Sequence, residues 1–173
     1  TTYRQRSNIL VYRLAEQEYM LVVNAGNIDK DKSWILENKG DFEASFVDIS
    51  DHTGLLAVQG PKATAVLQRL TDIDLEAVEY YHFTKGTMAG IDNVLISATG
   101  YTGSGGFELY VSNDRLADLW SAVLGHTSSS SRAPIMLRSW MVAHAAHVRN
   151  SGRYVGGAIG PELASVYSEP IHK

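Results

Sequence analysis

The clearest structural pattern in the chain is NVLISATGYTGSGGFELYV, residues 93–111. Two runs rich in β-branched, aromatic and other apolar residues, 93–98 and 107–111, flank a segment in which four of seven residues are glycine. Such runs predict two strands. Glycine lets the backbone between them approach another group closely. The sequence therefore predicts two strands whose connection can lie against a ligand.

The glycine-rich segment does not have the pattern of a phosphate-binding loop, because no Lys-Ser or Lys-Thr pair closes it and no suitable helix follows directly. Tyr101 and Glu108 stand on its two sides. A ring that stacks and a carboxylate that accepts N–H donors suit a flat nitrogen heterocycle. From the residues alone, a ligand site and a purely structural turn both remain open.

Strand pairs alternate with helices through the rest of residues 1–125. Further strands are predicted from apolar and β-branched runs at 9–14, 19–23, 46–50, 55–58 and 83–88. Helices are predicted after Asn27 as N-cap, with Pro61 at a first helical position, and after Asn113 as N-cap. This order favours an α+β fold with antiparallel sheet layers and helices on one face.

Two more strings lie where predicted strands end. VVNAGNIDKD, residues 22–31, passes from a strand into a helix N-terminus, and its two asparagine side chains can cap the helix or bind a polar ligand. LLAVQGPKA, residues 55–63, combines a strand, a tight turn and a helix start. Spacing alone favours a structural role for both strings, and we interpret the second as scaffold.

The composition is that of a globular chain of 173 residues, 45% hydrophobic and 20% charged. That length is enough for about one domain with its own core. The absence of cysteine excludes disulfides, thiolate zinc sites and iron–sulfur clusters. A dispersed net charge of −4 does not fit a nucleic-acid partner. With no apolar run near the ~18 residues of a membrane span and no secretory signal pattern, a cytoplasmic protein without a membrane partner is expected.

Charge divides the chain at 126–131, HTSSSS, a Ser-rich linker pattern. Residues 1–131 hold 10 basic and 17 acidic side chains, whereas 132–173 hold five basic and two acidic ones. We therefore predict a folded unit at 1–125, a linker at 126–131 and a divergent tail at 132–173 that is a candidate for disorder. Since the chain does not begin with Met, it is expected to be part of a longer protein.

A metal site is not expected. His144 and His147 would share one face of a helix, but no carboxylate lies close to them in the sequence to complete a site.

Four strings, taken together and in this order, resemble the glycine cleavage system T protein family, the aminomethyltransferases. They are VVNAGNIDKD, DHTGLLAVQGPKA, YYHFTKGTMAG and NVLISATGYTGSGGFELY. The resemblance implies transfer of a one-carbon unit from an aminomethyl group on a lipoyl carrier protein to the cosubstrate tetrahydrofolate, with release of ammonia. It also implies a three-lobed folate-binding fold, of which this chain would hold a part that includes a ferredoxin-like element.

Site residues follow from the resemblance, position by position. It implies that Glu108 hydrogen-bonds the pterin and that Tyr101 lies beside the folate. It further implies that Asn24 closes the hairpin against the ligand and that Tyr81 makes a second aromatic contact. At the place of the family's catalytic aspartate this chain has Asn8, which keeps the shape without the charge. Loss of such a preorganised charge typically costs ~10²–10³ in rate.

The chain departs from the family's pattern near its C-terminal end as well. PIMLRSW, residues 134–140, has Trp140 where the family has a folate-binding arginine, and Arg138 lies two residues earlier. One hypothesis is therefore a truncated gene remnant, read out of frame at both ends.

Three functions stay open on the sequence. The first is the aminomethyltransferase, with its activity in doubt. The second is a non-catalytic folate-binding or scaffold fragment of that family. The third is the folate module of a sarcosine or dimethylglycine oxidase or of an iron–sulfur assembly protein, although the last carries a cysteine motif that this chain lacks.

Overall fold

The computed structural model describes residues 9–100, 102–127, 136–141 and 145–150, with side chains described as far as residue 126. The strands in these ranges are β1 (Leu10–Ala15), β2 (Glu18–Val22), β3 (Ala44–Asp48), β4 (Thr53–Gln59), β5 (Phe83–Met88), β6 (Ile91–Ser97), β7 (Gly106–Ser112), β8 (Met136–Met141) and β9 (Ala145–Asn150). The α-helices in the same ranges are α1 (Ile28–Asn38), α2 (Ala63–Leu67) and α3 (Leu116–Thr127).

The strands form two antiparallel sheets. Sheet 1 has the order β1-β2-β9-β3, and sheet 2 has the order β5-β6-β7-β4-β8. In sheet 1 the two strands predicted near the N-terminus, at 9–14 and 19–23, pair as a hairpin, with Leu10 opposite Val22. In sheet 2, β7 pairs along its whole length with β4, from Thr53 opposite Ser112 to Gln59 opposite Gly106. The predicted combination of antiparallel sheets with helices is confirmed.

Sheet 2 lies between sheet 1 and the helices α2 and α3. Because side chains alternate along a strand, one face of sheet 2 packs on α2 and α3, around the fully buried Leu56, Leu109 and Leu119. The other face meets Tyr12 and Met20 of sheet 1. On the far side of sheet 1, residues of α1 line a small cavity together with residues of β2 and β3. Each sheet therefore carries helices on one face, and its other face meets the other sheet.

The last two strands come from the stretch that the sequence sets apart as a tail. β8 pairs with β4, from Gly54 opposite Met141 to Gln59 opposite Met136. β9 lies between β2 and β3. His147 is in this strand, so the helical spacing that would place it beside His144 does not apply, and His144 itself lies outside the described residues. The division of the chain into unit, linker and tail stays a prediction.

The helix starts differ in detail from the sequence pattern. Pro61 precedes α2 instead of beginning it: Ala63 N donates to Gly60 O at 2.9 Å, which closes a turn, and Lys62 is the N-cap. The fixed φ of proline suits that turn as well as a first helical turn. Asn27 is the N-cap of α1 as predicted, although its side chain makes no cap hydrogen bond. Asn113 begins a 3₁₀ turn that leads into α3.

None of the helices within the described ranges has the length and apolar character needed to cross a membrane.

Candidate functional site

Glu108 lies on β7 between the two sheets. Its neighbours across the strands are Ser97 on β6 and Ala57 on β4. Leu109, the next residue, points into the core under the helices, so Glu108 lies on the face that meets sheet 1. The carboxylate residue is only 4% exposed. A charged group in this position needs hydrogen-bond donors, because burial removes the water that would otherwise solvate it.

A line of hydroxyl groups connects Glu108 to sheet 1, and we call Thr99, Ser97, Tyr12 and Tyr110 the hydroxyl network. Thr99 Oγ1 donates to Glu108 Oε2 and lies 3.0 Å from Ser97 Oγ. Tyr12 OH lies 3.2 Å from Ser97 Oγ and 3.1 Å from Tyr110 OH. None of these side chains is more than 6% exposed. The network thus joins residues of both sheets in an interior from which water is largely excluded.

Burial changes the acid strength of two groups in this line. It raises the pKa of the Glu108 carboxyl, and the hydrogen bond from Thr99 opposes that rise. Burial also raises the pKa of the Tyr12 phenol. A carboxylate whose charge is poorly solvated gains more than an exposed one from a ligand that brings N–H donors. The site therefore favours a ligand with such donors.

Gln59, the last residue of β4, holds both ends of the glycine-rich segment. Its Nε2 donates to Thr99 O and to Phe107 O, each at 3.1 Å. Thr102 Oγ1 lies 3.4 Å from Gln59 Oε1. The Gln59 side chain is 5% exposed. Because buried carbonyl groups need donors, this side chain fixes the base of the segment in which Tyr101 lies.

Two glycines of the segment make room for β4. A Cβ on Gly100 would overlap the carboxamide of Gln59, with 2.5 Å to its Cδ. Gly106 has a φ of +125°, and a Cβ there would lie 2.7 Å from Gln59 Cα and closer still to Val58 O. The sequence predicts that these glycines serve close approach to a ligand. In the structure, the close approach at Gly100 and Gly106 is to β4.

Tyr81 lies in the turn before β5 and is attached to the end of β6. Its N–H donates to Ala98 O at 3.0 Å. Its φ of +64° is left-handed, a conformation that costs about 1–2 kcal/mol in a residue with a side chain and that clusters at functional sites. The ring is 61% exposed and lies 4.4 Å from that of Tyr80. A hydrogen bond with Tyr81 raises the pKa of Tyr80. Tyr80 and Tyr81 offer exposed aromatic surface, and the Tyr81 backbone is bonded to Ala98, the residue before Thr99.

Of the other predicted site residues, the structure describes one, Asn24, and leaves two undescribed. Asn24 follows β2, is exposed, and starts a 3₁₀ turn in which its side chain makes no cap hydrogen bond. Tyr101 and Asn8 lie outside the described residues, so their assignments stay predictions. The structure places Tyr81 in the turn before β5 and Glu108 on β7, and these two strands lie on either side of β6.

The strand register gives Arg138 a place in the row of Glu108. Arg138 pairs with Ala57, which pairs with Glu108 on its other side. Trp140 pairs with Leu55, in the row of Tyr110. Arg138, and not Trp140, thus shares the cross-strand row of the buried carboxylate.

Five residues of the site are not predicted from the sequence: Gln59 and the four of the hydroxyl network, Thr99, Ser97, Tyr12 and Tyr110. The signal for Gln59 is a polar residue at the end of the apolar run LLAV, since a buried polar side chain implies a partner. Thr99 and Tyr12 carry no comparable signal, because threonine and tyrosine are common in strands. Their role depends on contacts between strands far apart in the chain.

An open groove of about 390 Å³ lies elsewhere, beside α2. Its lining residues are Thr64, Ala65, Gln68, Arg69, Asp74 and Glu76. It contains none of the predicted site residues.

The chain is similar to known proteins over most of its length. A model of the GCVT N-terminal domain family matches residues 4–144. The protein named aminomethyltransferase from Chloroherpeton thalassium is 46% identical over 117 residues, which are 68% of this chain and 32% of that protein. The aminomethyltransferase of Bacteroides thetaiotaomicron is 52% identical over 116 residues, 67% of this chain and 32% of its own length.

A further aminomethyltransferase, from Clostridium botulinum strain Kyoto, is 41% identical over 130 residues, 75% of this chain and 35% of that protein. The chain thus spans about a third of the length of the curated relatives it matches.

Proposed function

Because the chain belongs to the GCVT N-terminal domain family, we propose that it supplies the tetrahydrofolate-binding part of an aminomethyltransferase of the glycine cleavage system. In that reaction a one-carbon unit passes from an aminomethyl group on the lipoyl arm of a carrier protein to tetrahydrofolate, and ammonia is released. The two sheets would form part of a three-lobed fold with a ferredoxin-like layer. The observation that carries the proposal is the buried carboxylate of Glu108 between the sheets.

Glu108 has the chemistry to recognise a pterin. The pterin ring presents neighbouring N–H donors, and a carboxylate accepts several hydrogen bonds through its two oxygens. Thr99 occupies part of Oε2, which leaves acceptor capacity on the carboxylate. Hydrogen bonds to a charged group contribute about 1.5–3 kcal/mol each. Burial, which raises the pKa of Glu108, makes the ionised carboxylate unfavourable in the free protein. It therefore increases the free energy gained when a ligand supplies N–H donors.

The aromatic residues near Glu108 fit a flat ligand. Tyr81 is exposed and held beside the end of β6, where the glycine-rich segment begins. Tyr101, inside that segment, and Asn24, after β2, are proposed as further contacts with the folate. Stacking of a heterocycle on an aromatic face adds about 0.5–1.5 kcal/mol beyond area burial.

We propose that catalytic turnover by this chain is impaired more than its binding of tetrahydrofolate. Attack of the folate nitrogen on the activated methylene is helped by a negative charge near that nitrogen. Asn8 stands where the family has the catalytic aspartate and cannot supply the charge. This residue favours a second candidate function, a non-catalytic folate-binding fragment of the same family.

Calorimetry with tetrahydrofolate tests the proposed function. We expect the 173-residue chain to bind tetrahydrofolate and to give no heat with p-aminobenzoylglutamate, which lacks the pterin. Absence of heat with tetrahydrofolate at millimolar concentration contradicts the proposal. Ammonia release from an aminomethylated lipoyl carrier then separates the two candidates: binding without ammonia selects the non-catalytic one.

Replacing Gln59 by leucine should weaken both the fold and folate binding. The change removes the two hydrogen bonds to Thr99 O and Phe107 O and leaves two buried carbonyl groups without that donor. We expect a loss of about 1–3 kcal/mol in the free energy of unfolding, measured by denaturant titration. Tetrahydrofolate affinity should fall as well, because the base of the glycine-rich segment is released.

Gln68 provides a matched control. Its Nε2 donates to Thr71 O at 3.2 Å and to Ile73 O at 2.8 Å, beside the groove near α2. Gln68→Leu therefore removes the same kind of double contact away from Glu108, together with the hydrogen bond that Gln68 Oε1 accepts from Leu75 N at 3.0 Å. We expect a comparable loss of stability with folate affinity unchanged. Equal loss of affinity in both variants would show that Gln59 acts through stability alone.

A further inference from the structure

We propose that Thr99 is the positioning residue for Glu108: its hydroxyl, oriented by Ser97 and Tyr12, holds one carboxylate oxygen and leaves the other for the ligand. This inference rests on the proposed function, since it assigns the device that prepares the folate-binding carboxylate. It adds a residue, and a link to sheet 1, that the resemblance to the family does not provide.

The geometry of the hydroxyl network sets the direction of its protons. A hydroxyl carries one proton, so Thr99, when it donates to Glu108 Oε2, must accept from Ser97. Ser97 in turn accepts from Tyr12 OH at 3.2 Å. Tyr12 OH can then accept from Tyr110 OH at 3.1 Å. The protons of Thr99, Ser97 and Tyr12 then all point towards the carboxylate, the arrangement in which hydrogen bonds in series strengthen one another.

The backbone at Thr99 is fixed independently of its hydroxyl. The carbonyl accepts a hydrogen bond from Gln59 Nε2 at 3.1 Å, and the residue is 6% exposed. A β-branched side chain has few allowed rotamers. Glu108 has a longer side chain with more rotatable bonds, so its carboxylate depends on a partner of this kind to hold one orientation.

The alternative is a purely structural role, in which Thr99 only fills buried space. The two roles differ in the acid strength of Glu108 in the free chain. Since the Thr99 hydrogen bond opposes the rise in the pKa of Glu108, its removal should raise that pKa further. Tyr12 and Tyr80 interact electrostatically with Glu108 and Arg138 shares its cross-strand row, and the variants replace none of these three residues.

The test is a carboxyl ¹³C NMR titration of Glu108 in the free chain, with three variants. Thr99→Val keeps the shape and removes the hydroxyl, and we expect a higher pKa of Glu108. Thr99→Ser restores the hydroxyl and should restore the wild-type titration. Thr87→Val is the matched control, because Thr87 Oγ1 donates to Asp92 Oδ1 at 2.7 Å on an exposed part of the same sheet.

Folate binding gives the second readout. Thr99→Val is expected to weaken tetrahydrofolate binding about tenfold or more, and Thr99→Ser and Thr87→Val to leave it unchanged. An unchanged Glu108 titration in Thr99→Val overturns the inference. If the titration shifts but the wild type does not bind tetrahydrofolate, the positioning of Glu108 stands and the proposed function fails.

A variant at the next residue of the hydroxyl network keeps the inference testable if Thr99→Val does not fold. Ser97→Ala removes the donor to Thr99 and is expected to raise the pKa of Glu108 by a smaller amount. A shift in Ser97→Ala supports the inference on its own, and an unchanged Glu108 titration in Ser97→Ala overturns it where Thr99→Val does not fold.

Discussion

Replacing Glu108 by glutamine lowers tetrahydrofolate affinity by about two orders of magnitude, because a charged acceptor that pairs with pterin N–H donors is lost. The same change makes the free protein more stable at neutral pH. Glutamine has nearly the shape of the carboxylic acid and can still accept from Thr99. It carries no charge that burial would penalise. Binding is measured by calorimetry and stability by denaturant titration.

The sign of the stability effect follows from the pKa of Glu108, which burial raises in the folded state. For an acid of this kind, the stabilisation is fully present below the pKa of the unfolded chain and is lost as pH rises through the folded pKa. The contribution of Glu108 to wild-type stability should therefore fall as pH rises from the unfolded to the folded pKa, and it should be absent in Glu108→Gln. At neutral pH we expect the variant to gain about 0.5–2 kcal/mol, a common trade between stability and function.

Glu76→Gln is the control for this prediction. Glu76 is exposed beside the groove near α2, so the change removes one negative charge without removing a buried one. Folate affinity and stability should both stay near wild-type values. Wild-type affinity in Glu108→Gln would contradict the role assigned to the carboxylate.

Replacing Gly106 by alanine should destabilise the protein by about 3 kcal/mol or more, because two independent costs add. The φ of +125° lies where residues with a side chain are strained. The new Cβ would also press against the backbone of β4, 2.7 Å from Gln59 Cα. Gly106 and Gln59 are opposite each other in the β4–β7 pairing, so neither backbone can move without breaking that pairing. The free energy of unfolding, from denaturant titration, is the measurement.

Gly103 separates the two costs. Its φ is +66°, and a Cβ there meets nothing within 4 Å. Gly103→Ala therefore carries conformational strain alone, about 1–2 kcal/mol. Similar losses in the two variants would mean that contact with β4 contributes nothing at Gly106.

Much of the local structure follows from the sequence. The hairpin near the N-terminus, the helix after Asn27 and the strands on either side of the glycine-rich segment form where apolar and β-branched patterns predict them. Membership of the aminomethyltransferase family, expected from four strings, is confirmed by the family match and by the relatives. Patterns of this kind act within a few residues, so a single sequence shows them directly.

The site was predictable only in part, because its geometry depends on distant pairs. The sequence identifies Glu108 but not its surroundings: Tyr12 reaches Ser97 across 85 positions of the chain, and Gln59 reaches Phe107 across 48. Contacts between residues so far apart in the chain produce no periodic pattern in the sequence. The strands β8 and β9 illustrate the same point, since their pairing with distant strands, and no strong local pattern, places them in the sheets.

Mapping of amide NMR shifts during titration with tetrahydrofolate tests the central claim, that folate binds at Glu108 between the sheets. We expect the largest shifts at Glu108, Thr99 and Gly100, with those around the groove near α2 unchanged. Shifts confined to that groove, at Thr64 and Gln68, or no shift at millimolar ligand, would contradict the claim.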